Sequence, residues 1–120
     1  MGGLSTHVLD TAHGKPGQGI PVTLFRIKGD LGDRDRVQVC ATRTNIDGRT
    51  DAPLLSGDDF EPGTYELVFT VAEYFSSHPD DSETAAFLDE ITLRFNISED
   101  SHYHVPLLVS PWSYSTYRGS

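Results

Sequence analysis

Three histidines and two arginines are the residues whose types and spacing could support chemistry in this chain of 120 residues. His102 and His104 alternate with apolar residues near the end of the sequence, and His7 lies near its beginning. An imidazole has an unperturbed pKa of about 6.5, so it can accept or donate a proton near neutral pH. Arg49 follows a glycine turn and Arg118 is the third residue from the end; a guanidinium presents a planar set of donors to an anion. The pattern therefore favours proton transfer by histidine on an anionic substrate that arginine holds.

Each of these residues also has a purely structural interpretation. A histidine on a strand is usually half-exposed, and an arginine after a turn is usually a solvated charge. Arg118 could simply pair with an acidic residue and anchor the last residues of the chain. His102 and His104 also have a spacing that metals use, and with His7 they could form a three-histidine zinc site that activates water. No carboxylate or thiolate lies in the same motifs, so we predict no metal and no other cofactor, with zinc as the alternative.

The remaining reactive residue types point to no other mechanism. His13 and His78 lie in predicted loops, and we expect both to be solvated. Cys40 lies in the middle of a predicted strand with no histidine near it in sequence, which is typical of a packing residue rather than a nucleophile. The sequence contains no nucleophile elbow, phosphate loop or dinucleotide fingerprint. A covalent intermediate is therefore not required by any motif.

The segments that would position these residues alternate apolar and polar side chains, as half-buried β-strands do. In the last long strand, Tyr103, Val105, Leu107 and Val109 are predicted to face the core, which places His102 and His104 on the opposite face. The predicted strands cover residues 4–11, 20–28, 36–44, 49–55 with its apolar part at 53–55, 64–73, 91–97 and 102–109, with a short one after Pro111. Residues 74–90 break this rhythm, and the segments 74–78 and 82–90 on either side of Pro79 could each form a helical turn or two. Short strands with turns between them predict an antiparallel β-sandwich.

Composition limits the class of protein and its partners. With 37% apolar and 22% charged residues and no long apolar run, the sequence predicts one soluble domain over residues 1–120. A formal net charge of −9 argues against nucleic acid or an anionic membrane as partner. Cys40 is the sole cysteine, so no internal disulfide forms, and no signal-peptide pattern precedes Leu4. We therefore expect a cytoplasmic location.

Three motifs resemble the signatures of a known family. They are LSTHVLDTAHGKPGQGIPVTLF at 4–25, TRTNIDGRT at 42–50 and YHVPLLVSPWSYSTYRGS at 103–120. Together they closely resemble the 5-hydroxyisourate hydrolases, the transthyretin-like enzymes of purine breakdown. The closing Tyr-Arg-Gly-Ser is the most specific motif, because transthyretin, the hormone carrier of the same fold, lacks it.

The resemblance implies a fold and an activity. The fold would be an all-β, transthyretin-like sandwich of two four-stranded sheets with one short helix after the fifth strand. The reaction would be hydrolysis of 5-hydroxyisourate at a ring amide, giving 2-oxo-4-hydroxy-4-carboxy-5-ureidoimidazoline during degradation of urate to allantoin. Because such substrates are anionic and the chain is strongly negative, recognition would depend on locally placed arginines. The alternative is a non-enzymatic carrier of small aromatic ligands, as transthyretin is.

The resemblance also implies which residues act and how the subunits assemble. The residues expected to be catalytic are His7, Arg49 and His104, and those expected to bind substrate are Tyr117, Arg118, Gly119 and Ser120. The expected assembly is a homotetramer, a dimer of dimers, with sites where two dimers meet across a central channel. A symmetric interface would supply the walls that a single sandwich lacks.

Overall fold

In the computed structural model, the described part of the chain (residues 2–29, 35–77 and 87–119) forms two β-sheets and one short α-helix. The strands are β1 (Gly3–Asp10), β2 (Lys15–Pro16), β3 (Pro21–Lys28), β4 (Asp35–Arg43), β5 (Leu55–Ser56), β6 (Gly63–Thr70), β7 (Glu90–Ile97), β8 (His102–Val109) and β9 (Tyr114–Thr116). The helix α1 spans Ala72–Ser76, and Gly57–Asp59 forms a single 3-10 turn.

The first sheet contains β8 between β1 and β9, and the second has the order β4-β3-β6-β7. Because β8 occupies one edge of β1, the two-residue strands β2 and β5 share its other edge, at Leu9–Asp10 and at Gly3–Leu4 respectively. The first sheet thus has five strands but is four positions wide. The predicted two-sheet sandwich with one short helix is confirmed.

One pairing differs from the antiparallel expectation. β1 and β8 run parallel over eight residue pairs, from Gly3 opposite His102 to Asp10 opposite Val109. Parallel neighbours need a long crossover connection, and here the whole second sheet lies between them in sequence. This pairing joins the first and the last long strands, and with them the histidines of both.

The core confirms the predicted alternation. Tyr65, Leu67, Phe69 and Val71 are fully buried, and Tyr103, Val105, Leu107 and Val109 are buried in β8. Burial of each large apolar side chain contributes roughly 1.5–3 kcal/mol. Since neighbouring residues of a strand project to opposite faces, His102 and His104 lie on the face of β8 that points away from the core.

The segment after β6 differs in detail from the expectation. β6 ends at Thr70 rather than at residue 73, because the backbone N–H groups of Val71 and Ala72 both donate to the carbonyl of Asp89 (3.1 Å each) and α1 begins there. The predicted helical turn at 82–90 lies largely outside the described residues, and residues 87–89 are not helical. Among the residues that are described, no helix is long and apolar enough to cross a membrane.

Cys40 lies on β4 and packs against the core with its thiol 3.7 Å from the carbonyl oxygen of Leu54. Burial raises the pKa of this thiol, so the thiolate is disfavoured. The prediction of a packing residue is confirmed.

Asp10, at the end of β1, is a buried carboxylate that joins this strand to α1. One carboxylate oxygen accepts the backbone N–H groups of Ala12 and His13 at 3.0 Å each. The other accepts the Tyr74 hydroxyl at 2.7 Å and lies 2.6 Å from Nδ1 of His13. Burial alone would raise the pKa of Asp10, but the hydrogen bonds from Tyr74 and His13 outweigh burial and lower it.

The prediction that His13 is solvated is wrong, because its side chain is only 20% exposed and bonds to Asp10. His78 lies outside the described residues.

We expect Asp10→Asn to lower the free energy of unfolding by about 1–3 kcal/mol at neutral pH, because an uncharged amide cannot satisfy all four donors. The folded state lowers the pKa of Asp10 below the ordinary aspartate value of 3.8, so this stabilisation is present above that value. The wild-type advantage should therefore shrink as the pH falls below about 4. Urea unfolding at matched protein concentrations measures it, with the exposed Asp59→Asn as control. Equal unfolding free energies for the two variants at neutral pH would contradict the stabilising role.

Candidate active site

The outer face of the first sheet carries His104, Ser5 and His7. The parallel register places Ser5 directly opposite His104, and His7 opposite Pro106, so the two histidines are diagonal neighbours on adjacent strands. Residues two apart on a strand project to the same face, which makes all three side chains neighbours. The buried hydroxyl of Thr6 donates to the carbonyl of Val105 at 2.7 Å and ties the two strands together from the other face. Histidines from the first and last long strands therefore lie side by side.

Arg49 reaches this face through the turn that precedes it. Asn45 accepts the backbone N–H of Arg49 at 3.1 Å through its side-chain oxygen, and Gly48 adopts a φ of 76°. A Cβ atom at Gly48 would lie 2.4 Å from the carbonyl oxygen of Val8, so only glycine allows the turn to pack on β1. Arg49 then forms an antiparallel bridge with His7. Bridge partners project to the same face, so the exposed Arg49 side chain extends beside His7.

The last described residues run along the other edge of β8. The Thr116 hydroxyl donates to the carbonyl of Pro106, and the backbone N–H of Gly119 donates to the carbonyl of His104, both at 2.7 Å. A Cβ atom at Gly119 would lie 2.9 Å from Cδ2 of His104, so the chain passes the imidazole only because this residue is glycine. Tyr117 is 61% exposed. Ser120 lies outside the described residues.

Arg118 makes contacts that hold this terminal segment in place. Its guanidinium stacks over the Tyr103 ring, 4.1 Å from the ring centroid. It also donates to the Ser101 hydroxyl at 3.2 Å and lies 3.8 Å from the carboxylate of Glu99. These contacts agree with the anchoring interpretation. The substrate-binding role of Arg118 stays a prediction.

Two open clefts adjoin the hydrogen-bonded pair Ser5 and His104. The larger, about 750 Å³, is lined by His102, His104, Tyr117, Arg118 and Gly119. The smaller is lined by residues that include Ser5 and Arg49. His104 lines the first cleft and Ser5 the second, and these two side chains are hydrogen-bonded at 2.8 Å. The structure thus brings the predicted residues of all three motifs to one region of the sheet.

The surroundings of His104 affect its pKa, and a backbone carbonyl fixes the position of a hydrogen on His7. Burial lowers the pKa of His104, and the neighbouring charges of Arg49, His7 and His102 lower it further. His104 is therefore neutral at pH 7 and can accept a proton. Nε2 of His7 lies 2.9 Å from the carbonyl oxygen of Asp47. A carbonyl can only accept, so Nε2 of His7 carries a hydrogen.

Ser5 is the residue of this region to which the sequence assigns no role. Its hydroxyl lies between two imidazoles, 2.8 Å from Nδ1 of His104 and 3.2 Å from Nε2 of His102. Alternation indicates that Ser5 shares a face with His7, but only the parallel register with β8 reveals its neighbours.

Within the described ranges, no three His, Cys, Asp or Glu side chains form a group that could hold a metal ion. The three-histidine zinc alternative therefore gains no support.

We expect Gly119→Ala to lower turnover by about 10²-fold, because the new methyl group must displace either the terminal segment or the His104 ring, and a shift of about 1 Å has such an effect. The matched control is Gly3→Ala, where the added Cβ meets no atom closer than 3.5 Å. Steady-state kinetics of both variants measure the difference. Wild-type turnover in Gly119→Ala would show that this close approach does not matter.

The two-sheet topology and the polar outer face define a β-sandwich of the transthyretin type with a histidine–arginine site. The model of the HIUase/Transthyretin family matches residues 4–119, and the chain belongs to this family. A protein of Pseudomonas aeruginosa named 5-hydroxyisourate hydrolase is 53% identical over 121 residues, with 100% of this chain and 93% of the relative covered.

Solved structures agree on the fold. A crystal structure of (S)-allantoin synthase is 44% identical with a TM-score of 0.84, and 99% of this chain corresponds to 44% of that longer chain. Transthyretin from Sparus aurata has a TM-score of 0.79 over 97% of this chain and 95% of its own. Its identity of 22% supports the shared fold alone.

Proposed function

We propose that this protein hydrolyses 5-hydroxyisourate to 2-oxo-4-hydroxy-4-carboxy-5-ureidoimidazoline, a step in the degradation of urate to allantoin. The observation that carries the proposal is a neutral His104 beside the His7–Arg49 bridge pair, on a face bordered by the terminal Tyr-Arg-Gly segment. The full-length relative at 53% identity bears the name of this activity. A carrier of aromatic ligands has no need of this combination.

Hydrolysis of a cyclic amide needs a proton removed from water and a proton delivered to the leaving nitrogen. We assign the first step to His104, whose lowered pKa keeps it neutral. We assign the second step to His7, which would deliver the proton from Nδ1 because its Nε2–H is bonded to the Asp47 carbonyl. General acid–base catalysis of this kind contributes about 10²–10⁴-fold in rate. Arg49 holds the anionic ring and stabilises the tetrahedral oxyanion, because its guanidinium is charged throughout the reaction. Tyr117, Arg118, Gly119 and Ser120 bind the substrate from the other side.

The complete site needs a second subunit in this proposal. Both clefts are open in one chain, and Trp112, Tyr114 and Tyr117 are large exposed side chains at 61%, 45% and 61%. In the described sheets, β7 and β9 each pair on one edge only, which leaves backbone donors and acceptors for another chain. We therefore propose a homotetramer, a dimer of dimers, formed by a single domain over residues 1–120.

The acidic chain and its lone cysteine support a cytoplasmic location without nucleic-acid or membrane partners.

A direct test generates 5-hydroxyisourate from urate with urate oxidase and follows its ultraviolet absorbance. We expect the decay rate to rise in proportion to the protein concentration. Decay at the spontaneous rate, with the ligand bound but unchanged, would favour the carrier instead. A second arm repeats the assay after exhaustive chelation, where full activity is expected because no step uses a metal.

A further inference from the structure

The hydroxyl of Ser5 lies between two imidazoles that differ in exposure. Ser5 and His104 are half-buried, whereas His102 is exposed to solvent. The register explains the arrangement, because Gly3 pairs with His102 and Ser5 with His104, so that one serine on β1 faces two histidines on β8. The two contacts, 2.8 Å to Nδ1 of His104 and 3.2 Å to Nε2 of His102, form a continuous chain from the site to solvent.

A hydroxyl has a single hydrogen to donate, so this chain has two hydrogen-bonded states. In one state Ser5 donates to Nδ1 of His104 and accepts from His102, which leaves the hydrogen of neutral His104 on Nε2. In the other state Nδ1–H of His104 donates to Ser5, and Ser5 donates to Nε2 of His102. Only this second state leaves a lone pair on Nε2 of His104 for a proton from water.

We propose that Ser5 and His102 form a proton relay that positions the tautomer of His104 and carries its proton to solvent; the relay rests on the proposed function. As the water oxygen bonds to the ring carbonyl, its proton moves to Nε2 of His104. The Nδ1 proton of His104 then passes to the Ser5 oxygen, and the Ser5 hydrogen passes to Nε2 of His102. His102 releases its Nδ1 proton to solvent, so one proton has moved from water to bulk and no residue keeps an extra charge. The relay then stands in the first state, and the reverse transfer restores the second state.

Electrostatics favour moving the charge in this direction. An imidazolium at His104 would be partly buried and would face the positive charge of Arg49, with His7 and His102 as its other titratable neighbours. The same charge on His102 is hydrated, because that side chain is exposed. Transfer through Ser5 therefore removes a disfavoured charge from the site after each proton is taken from water.

Three serine variants test the relay. Ser5→Ala removes the hydroxyl, and Ser5→Thr keeps it. Ser56→Ala is the control, because the Ser56 side chain is exposed at the end of β5 and makes no capping hydrogen bond. In dilute buffer we expect Ser5→Ala to lower kcat by about 10-fold or more with little change in KM, as the loss of one proton-transfer partner implies. Added imidazole buffer should restore part of this loss by carrying the proton. Ser5→Thr and Ser56→Ala should resemble the wild type.

A readout independent of turnover is the tautomer of His104, which long-range proton–nitrogen NMR spectra report. We expect Nδ1 to be protonated in the wild type and in Ser5→Thr, and a mixture of tautomers in Ser5→Ala. Equal kcat for Ser5→Ala and the wild type would overturn the relay. The relay would also be overturned if Ser5→Thr lost as much kcat as Ser5→Ala and imidazole buffer restored neither variant, because such a loss would be structural. Failure of the proposed function gives a different result. In that case 5-hydroxyisourate decays at the spontaneous rate with the wild-type protein, while the tautomer of His104 can still be measured by NMR.

Discussion

Replacement of His104 by asparagine is expected to lower kcat/KM for 5-hydroxyisourate by about 10²–10⁴-fold, the range that general base catalysis contributes. Asparagine keeps a polar side chain of similar reach but cannot take a proton from water. The fold should persist, because the core face of β8 is formed by other residues and the bond from Gly119 uses the backbone carbonyl of residue 104. Ultraviolet decay assays measure the loss, and circular dichroism with sedimentation confirms the assembly.

The control is His78→Asn, which changes a histidine that no proposed step uses. The pH profile of the wild type adds a second check on the same residue. Because burial and the charge of Arg49 lower the pKa of His104, kcat/KM should fall only as the pH drops below the ordinary histidine value of 6.5. A His104→Asn enzyme with wild-type turnover, or an acid limb above that value, would contradict the role of His104 as the base.

Arg49→Lys is expected to lower kcat/KM by about 10²–10³-fold, the effect of removing one donor from an oxyanion site. Lysine keeps the positive charge but loses the planar pair of donors that an anionic ring accepts. The matched control is Arg43→Lys, an exposed arginine on β4 of the other sheet. Equal losses in the two variants would show that the effect is not specific to Arg49.

Arg49→Gln separates charge from hydrogen bonding. The charge of Arg49 contributes to the lowered pKa of His104, so its removal should raise that pKa toward the ordinary histidine value. The acid limb of the residual activity, and an NMR titration of His104, should both move to higher pH. An unchanged titration would mean that Arg49 and His104 do not interact across the sheet.

Side-chain alternation predicted correctly which faces of β6 and β8 are buried, because the period of a β-strand is two and apolar residues are driven out of water. The faces of β6 and β8 follow from Tyr65 and Tyr103 and their alternate neighbours in this way. The turn at Gly48 was also predictable, since a positive φ favours glycine. The motifs indicated His7, Arg49 and His104 as one group before the register was known.

Pairing between distant strands could not be predicted by the same reasoning. Alternation is a local property, whereas the parallel alignment of β1 with β8 depends on the path of the whole second sheet. Ser5 therefore had no assigned role, although its face was known. Asp10 is a similar case, because its partner Tyr74 lies 64 residues away. For Arg118, sequence left both anchoring and substrate binding open, and its stacking on Tyr103 supports the first.

The most direct test is a crystal structure of the assembled protein with bound urate, which keeps the anionic purine skeleton but lacks the 5-hydroxyl group. We expect the ring to lie within hydrogen-bonding distance, about 2.7–3.2 Å, of both the Arg49 guanidinium and Nε2 of His104. The Tyr117–Gly119 segment should cover it. Urate bound away from these groups, or contacting only one of them, would contradict a single site assembled from three distant parts of the chain.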